Sequence, residues 1–173
     1  MTARPPAPES IPDIAEVAAA PSGVMAGERH WYAIRVFYED TDAAGIVYYA
    51  NYLKFVERAR TEMMRLFAFE HSQIRDSDGI NFTVRRCTID YRRPARLDDR
   101  LLVESRIVGL GGASIDIEQN VRAQDGELLA QALLKLACMH PNGRPARLPQ
   151  GLRKRLQATD SAHLTPQSPS KST

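Results

Sequence analysis

The chain has 173 residues, of which 43% are hydrophobic and 25% charged. That supplies enough apolar side chains for one packed core and leaves no room for a second full domain. The formal net charge of +2 is far from the concentrated basic surface of a dedicated nucleic-acid binder, so no nucleic-acid partner is expected.

Residues 1–29 read as a disordered leader. Pro5, Pro6, Pro8, Pro12 and Pro21 interrupt it, and Glu9, Asp13 and Glu16 replace the basic n-region of a signal peptide. Met25, just before the first strand-like run, offers an alternative start. No apolar run approaches the roughly 18 residues that span a bilayer, so a soluble, cytoplasmic protein is expected, with its folded domain over 30–157.

Trp31 to Tyr38 mixes aromatic and β-branched residues and predicts a strand. Polar and small residues then break the pattern from Glu39 to Gly45. From about Tyr48 the period changes: Tyr52, Val56, Ala59, Met63 and Leu66/Phe67 recur every three or four positions, with Lys54, Glu57, Arg58, Thr61 and Arg65 on the other side. This predicts one long amphipathic helix, with Arg58 and Glu62 as an i,i+4 pair on its wet face.

Beyond a polar link, Asn81 to Tyr91 predicts a strand stopped by Pro94. Leu101 to Leu110 predicts another, ending at Gly111-Gly112. Ala113 to Gln124 alternates, with Ile115, Ile117, Val121 and Ala123 on one face and Asp116, Glu118, Asn120, Arg122 and Gln124 on the other. Asp125-Gly126 marks a hairpin, Leu128 to Met139 completes the strands, and Pro149 to Leu156 predicts a short terminal helix. Residues 158–173, rich in Ser, Thr, Pro and Lys, read as a disordered tail. A long helix followed by consecutive strands on short turns predicts an α+β fold with an antiparallel sheet. Cys87 and Cys138 lack metal-ligand spacing and read as reduced core residues; no metal site is expected.

The chemistry concentrates in YEDTDAAGIVYYANYLKFVERARTEMMR, Tyr38 to Arg65. It runs from strand through an acidic loop into a helix, whose first unpaired N–H groups can receive a polarised carbonyl. Thioester hydrolysis needs both a carboxylate and such donors. Each feature also has an ordinary explanation, since Asp and Asn at helix starts cap them, and Tyr48, Tyr49 and Tyr52 suit a core or an interface.

The order Asp-x-Asp-x-x-Gly-Ile-Val-Tyr-x-x-x-Tyr, followed by Glu-Arg-Ala-Arg, resembles the 4-hydroxybenzoyl-CoA thioesterase family. Within it, the chain resembles the YbgC-type acyl-CoA thioesterases associated with Tol–Pal operons. The likeness continues through DYRRPARLDDRLLV (Asp90 to Val103) and GRPARLP (Gly143 to Pro149). It implies a hot-dog fold, an antiparallel sheet wrapped around a long central helix, with active sites at a dimer interface and a homodimer or homotetramer as the assembly. It implies Asp42 as the catalytic carboxylate, Asp40 as structural, and the Tyr49 backbone N–H as oxyanion donor. Gly45, Val47, Tyr48 and Asn51 then line the substrate site. YbgC-type proteins commonly carry His at position 49, whereas Tyr49 matches the hydroxybenzoyl-specific relatives. The backbone donor survives that change and an imidazole contribution does not.

The implied substrate is an acyl-CoA, or an acyl carrier protein thioester, with no cofactor beyond the coenzyme A it carries. Its phosphates would meet cations, for which Arg85, Arg86, Arg92, Arg93 and Arg96 are candidates, while Gly111 and Gly112 would let backbone approach the ligand. Each of these also fits a solvated sheet or a plain turn. Glu57 is a weaker candidate for a second carboxylate. A hot-dog dehydratase would place a histidine in the motif, and His30, His71, His140 and His163 all lie outside it. No Gly-x-Ser-x-Gly elbow supports a serine hydrolase. The alternative from another class is a non-catalytic module that binds acyl-CoA or acyl carrier protein.

Overall fold

The structure, a computed structural model, describes residues 10–67 and 79–161, with side chains described as far as residue 157. The polar link with His71 and the end of the tail with His163 fall outside the described residues, as do residues 1–9.

Six antiparallel strands form one sheet: β1 (Val24–Ala26), β2 (Arg29–Arg35), β3 (Asn81–Tyr91), β4 (Arg100–Leu110), β5 (Ser114–Ala123) and β6 (Leu128–Met139), in spatial order β1-β2-β4-β5-β6-β3. Helix α1 spans Ile14–Ala19, α2 Asn51–Leu66 and α3 Gln150–Ser161. This is the α+β hot-dog arrangement that the sequence predicts. Strands β3 and β6 begin and end where the alternation places them. Strand β2 stops earlier than expected, because the Val36 N–H turns to the Asp99 carbonyl and Tyr38–Asp40 winds into a 3-10 turn.

Helix α2 packs on β2, β4 and β5. It buries Tyr52, Phe55, Val56, Ala59, Met63 and Met64, whereas Leu66, predicted in the stripe, is 43% exposed. The inner row of β5 carries Ile115, Ile117 and Val121, and between them a fully buried Gln119. Its Nε2 donates to the Val56 carbonyl and to Ser105 Oγ, both at 2.8 Å. One polar side chain thus bonds the helix backbone to the sheet. Glu62 meets Ser22 and Arg65 rather than Arg58.

The leader is ordered from residue 10 onward, which corrects its reading as disorder. Asp13 caps α1 by accepting the Ala15 N–H at 2.6 Å. Ile14 and Val17, three positions apart, pack on Trp31 and Leu102 as a separate apolar cluster. At Gly23 (φ +73°) a Cβ would stand 2.1 Å from the Trp31 carbonyl oxygen, so only glycine allows this segment to lie against β2. The tail reading is also corrected near its start, since α3 runs on to Ser161. Leu152 and Leu156 pack against Met63 and Met64. Of the two cysteines, Cys138 is buried as expected and Cys87 is exposed, because β3 is the outer strand of the sheet.

Two buried polar groups bear on stability. Glu104, 1% exposed, pairs with Arg29 and with Arg122 at 3.0 Å. His30, fully buried on β2, meets the Ser22 carbonyl at 2.7 Å through Nε2. Burial pushes the imidazole pKa down, and the Ser22 bond and the Glu62 charge oppose that shift. The unfolded chain therefore takes up this proton first as pH falls. His30's contribution is complete above the ordinary histidine value, about 6.5, and is lost as pH drops below it. We expect the Tm of the wild type to fall on acidification through that range and the Tm of His30→Gln to fall less. Equal slopes would remove His30 from the account.

Among the described residues, no helix is long and apolar enough to cross a membrane.

Candidate active site

The loop between β2 and α2 is held by its own backbone. Asp40, 3% exposed, accepts the Phe37 N–H on Oδ2 at 2.9 Å, closing the 3-10 turn. Its carbonyl accepts the Tyr48 N–H at 2.8 Å and Asn51 Nδ2 at 3.1 Å. Two residues on, the Asp42 N–H donates to the Ile46 carbonyl and the Gly45 N–H returns to the Asp42 carbonyl, each at 2.9 Å. The segment is a miniature antiparallel ladder closed by a tight turn, and Gly45 (φ +72°) takes the left-handed position that the turn requires.

Asp42 opens this turn with its carboxylate exposed. One oxygen, Oδ1, accepts the Ala44 N–H at 2.8 Å. The other has no partner among the described residues. The hydrogen bond that the Tyr48 hydroxyl donates to Tyr49, the Tyr49 charge, slight desolvation and the Asp42 charge all raise the Tyr48 phenol pKa, in that order. The Asp42 carboxylate is therefore within electrostatic reach of the tyrosine pair.

Helix α2 begins without a side-chain cap, at Ala50. The Asn51 N–H bonds back to the Tyr48 carbonyl at 2.8 Å, but the Tyr49 N–H donates to no acceptor among the described residues. Such orphan donors at a helix start are open to a ligand. The residue that carries this one is fixed. Tyr91 donates its hydroxyl to the Tyr49 carbonyl at 2.9 Å, and its ring meets those of Tyr49 edge-on at 6.4 Å and Tyr52 at 5.5 Å.

Behind the loop, Ala95 is fully buried and bonded twice. Its N–H donates to the Tyr52 hydroxyl at 2.8 Å, and its carbonyl accepts the Val47 N–H at 2.8 Å. Through Ala95, a side chain of α2 sets the height of the loop. Tyr52→Phe strands a buried N–H and should cost about 1–3 kcal/mol. Urea denaturation measures this, and an unchanged midpoint would show that Ala95 finds another acceptor.

The fold gathers Asp42, Gly45, Tyr48 and Tyr49 on one exposed loop, but it reassigns other residues. Val47, 3% exposed, belongs to the core, and Asn51, 5% exposed, spends its amide on the Glu39 and Asp40 carbonyls. Both position the loop rather than face a ligand. Arg85 and Arg86 lie exposed on β3, beside a bulge between Val84 and Arg86. Gly111 and Gly112 follow the far end of β4, whose eleven residues separate them from the Asp99 side where the loop sits. At about 3.3 Å per residue, they cannot share a site with Asp42 within one chain. Their turn is explained locally: the Gly111 N–H donates to Ser114 and the Gly112 carbonyl accepts from Leu148. Of the candidate arginines, Arg96 is the one set beside the Asp42 turn, through its bridge to Ile46, while Arg93 pairs with Glu127. The sequence suggests no site role for Tyr91 or Ala95, although both fall inside the DYRRPARLDD stretch, and it places Tyr52 in the core without showing that its hydroxyl holds the loop.

A sequence model described as the thioesterase superfamily matches residues 44–130. The chain belongs to this family. It is 38% identical over 122 residues to the acyl-CoA thioester hydrolase YbgC of Escherichia coli, covering 70% of this chain and 90% of that one. A probable thioesterase from Bartonella henselae superposes with a TM-score of 0.67 at 35% identity, over 70% of this chain and 99% of that one. A thioesterase from Thermus thermophilus, solved with coenzyme A and zinc, gives a TM-score of 0.62 at 34% identity, over 75% and 94%. The family match takes in Gly45, Val47, Tyr48, Tyr49 and Asn51 and begins two residues after Asp42.

Proposed function

We propose that the protein hydrolyses an acyl-CoA thioester to a free acid and coenzyme A, with Asp42 as its catalytic carboxylate and the Tyr49 N–H as oxyanion donor. The observation that carries this reading is the pairing of an exposed carboxylate with an orphan amide on a hydrogen-bonded loop. Its chemistry meets both demands of acyl transfer, a group that attacks or deprotonates and a donor for the oxygen that gains charge. YbgC relatives bearing the name acyl-CoA thioester hydrolase support it, as does a similar structure with coenzyme A bound.

The thioester carbonyl oxygen points at the Tyr49 N–H while the Asp42 side presents a nucleophile. In one route, the free carboxylate oxygen attacks the carbonyl carbon. The C–S bond breaks, coenzyme A leaves as the thiolate, and water cleaves the resulting mixed anhydride. In the other, Asp42 takes a proton from water as the water oxygen attacks the carbonyl carbon; the C–S bond then breaks, coenzyme A leaves as the thiolate, and the proton held by Asp42 is released. Both routes need Asp42 ionised and neither calls for a metal or a cofactor. In this reading Arg96, whose bridge to Ile46 supports the role, meets the coenzyme A phosphates. Tyr48 and Gly45 border the site, and Arg85 and Arg86 meet the ligand only if it crosses β3.

The assembly in this reading is a homodimer along β3, or a tetramer built from such dimers, in the cytoplasm and associated with the Tol–Pal system as in the YbgC-type resemblance. An outer strand of eleven residues with Val84 and Tyr91 each 45% exposed supports a partner there. Release of free thiol from a panel of acyl-CoA and acyl carrier protein thioesters tests the activity. Tight binding without thiol release would replace the enzyme with a binding module.

A further inference from the structure

Arg60, on α2, is 8% exposed, yet among the described residues its guanidinium makes no hydrogen bond and no ion pair. Burial lowers its pKa and the nearby Glu57 charge opposes that shift, so the guanidinium has a counter-charge in its neighbourhood but no direct bond to a carboxylate, and its donors are open to one. The side chain lines a cleft of about 200 Å³ between α2 and β3, whose other walls include Glu57, Met64, Phe82, Val84 and Leu136. With Thr83, which completes the lining, four of the six residues around Arg60 are apolar.

The cleft lies on the same wall as the proposed site. Along β3, Cys87, Ile89 and Tyr91 share one face by strand alternation. Tyr91 bonds to the Tyr49 carbonyl, Ile89 packs against the main core, and Cys87 is near enough to Arg60 for the cation to oppose the rise that burial causes in its thiol pKa. These three side chains of β3 thus mark the line from Tyr49 to Arg60. Nine positions separate Arg60 from Asn51 at the start of α2, roughly 14 Å of helix, and a helical side chain leans back toward the N-terminus by about one turn. The guanidinium is within reach of a medium-length acyl chain whose thioester sits at Tyr49.

Of the charges in the cleft, Glu57 is exposed and already accepts from Thr61 Oγ1 at 3.0 Å, so solvent screens it. Arg60 is buried, where charge-assisted hydrogen bonds are strongest. We infer that the α2–β3 cleft is an acyl subsite in which Arg60 receives a carboxylate at the far end of the acyl group, so that dicarboxylyl thioesters are the favoured substrate class. This rests on the thioesterase reading above.

The test compares suberyl-CoA with octanoyl-CoA, which differ at the far end of the acyl group, using the full chain. The kcat/KM ratio should favour suberyl-CoA by about ten- to a hundredfold in the wild type. It should fall to about one in Arg60→Met, which keeps the apolar stem, and recover in part in Arg60→Lys. A wild-type ratio of one or below overturns the inference. So does a loss in Arg60→Met that is equal for both substrates, particularly with a smaller mass by light scattering, which would assign Arg60 to a contact with a second copy. Should neither thioester be hydrolysed, the thioesterase reading fails. Calorimetric titration of Asp42→Asn with the same two ligands then decides this inference alone, by whether suberyl-CoA binds at least ten times tighter.

Discussion

Asp42→Asn should lower kcat for acyl-CoA hydrolysis by at least about a thousandfold while leaving the loop intact. The reason is local. Asn keeps an oxygen able to accept the Ala44 N–H at the position of Oδ1, and the turn is otherwise closed by backbone bonds. The substitution removes only the negative charge and the basicity, which both proposed routes require. Losing one oxyanion donor costs roughly 10² to 10³ in rate, and losing the attacking or proton-accepting group should cost more. The expected pattern is a collapsed kcat with an unchanged Tm. A parallel fall in Tm would mean that the carboxylate supports the loop instead.

The second large effect is on stability. Glu104→Ala should cost about 3 kcal/mol, because Glu104 is 1% exposed and is shared between Arg29 and Arg122, whose side chains are 15% and 16% exposed. Removing the shared carboxylate takes from two partly buried arginines the group that pairs with both. Burial decides the magnitude. Breaking the Arg93–Glu127 pair, 69% and 42% exposed, should cost less than about 1 kcal/mol. Urea denaturation of Glu104→Ala and Arg93→Ala separates the two, and equal losses would mean that burial does not set the value of these pairs.

Strands β3 to β6 were legible because alternation, Pro94, Gly111-Gly112 and Asp125-Gly126 all punctuate the same segments. Helix α2 was legible from its period. The ordered leader was not, because Ile14 and Val17 are a single i,i+3 pair among prolines, and their order depends on Trp31 and Leu102, which no local signal connects to them. At the site, the motif selected the right loop but could not tell inward from outward side chains. Val47 and Asn51 neighbour the exposed Tyr48 and Tyr49 in sequence and turn inward in space. Gly111-Gly112 looked suited to a ligand until register placed it beyond the wrong end of β4. Arg60 had no place on either helix face in the sequence, since the Glu-Arg-Ala-Arg run does not say which arginine faces the cleft.

The central claim is that one bound thioester meets both the Asp42 carboxylate and the Tyr49 amide. A crystal structure of Asp42→Asn soaked with an acyl-CoA tests it directly. The carbonyl oxygen should accept the Tyr49 N–H at about 2.7–3.1 Å, with the residue 42 side chain facing the carbonyl carbon. A thioester seated elsewhere, with the Tyr49 N–H still without an acceptor, would contradict it.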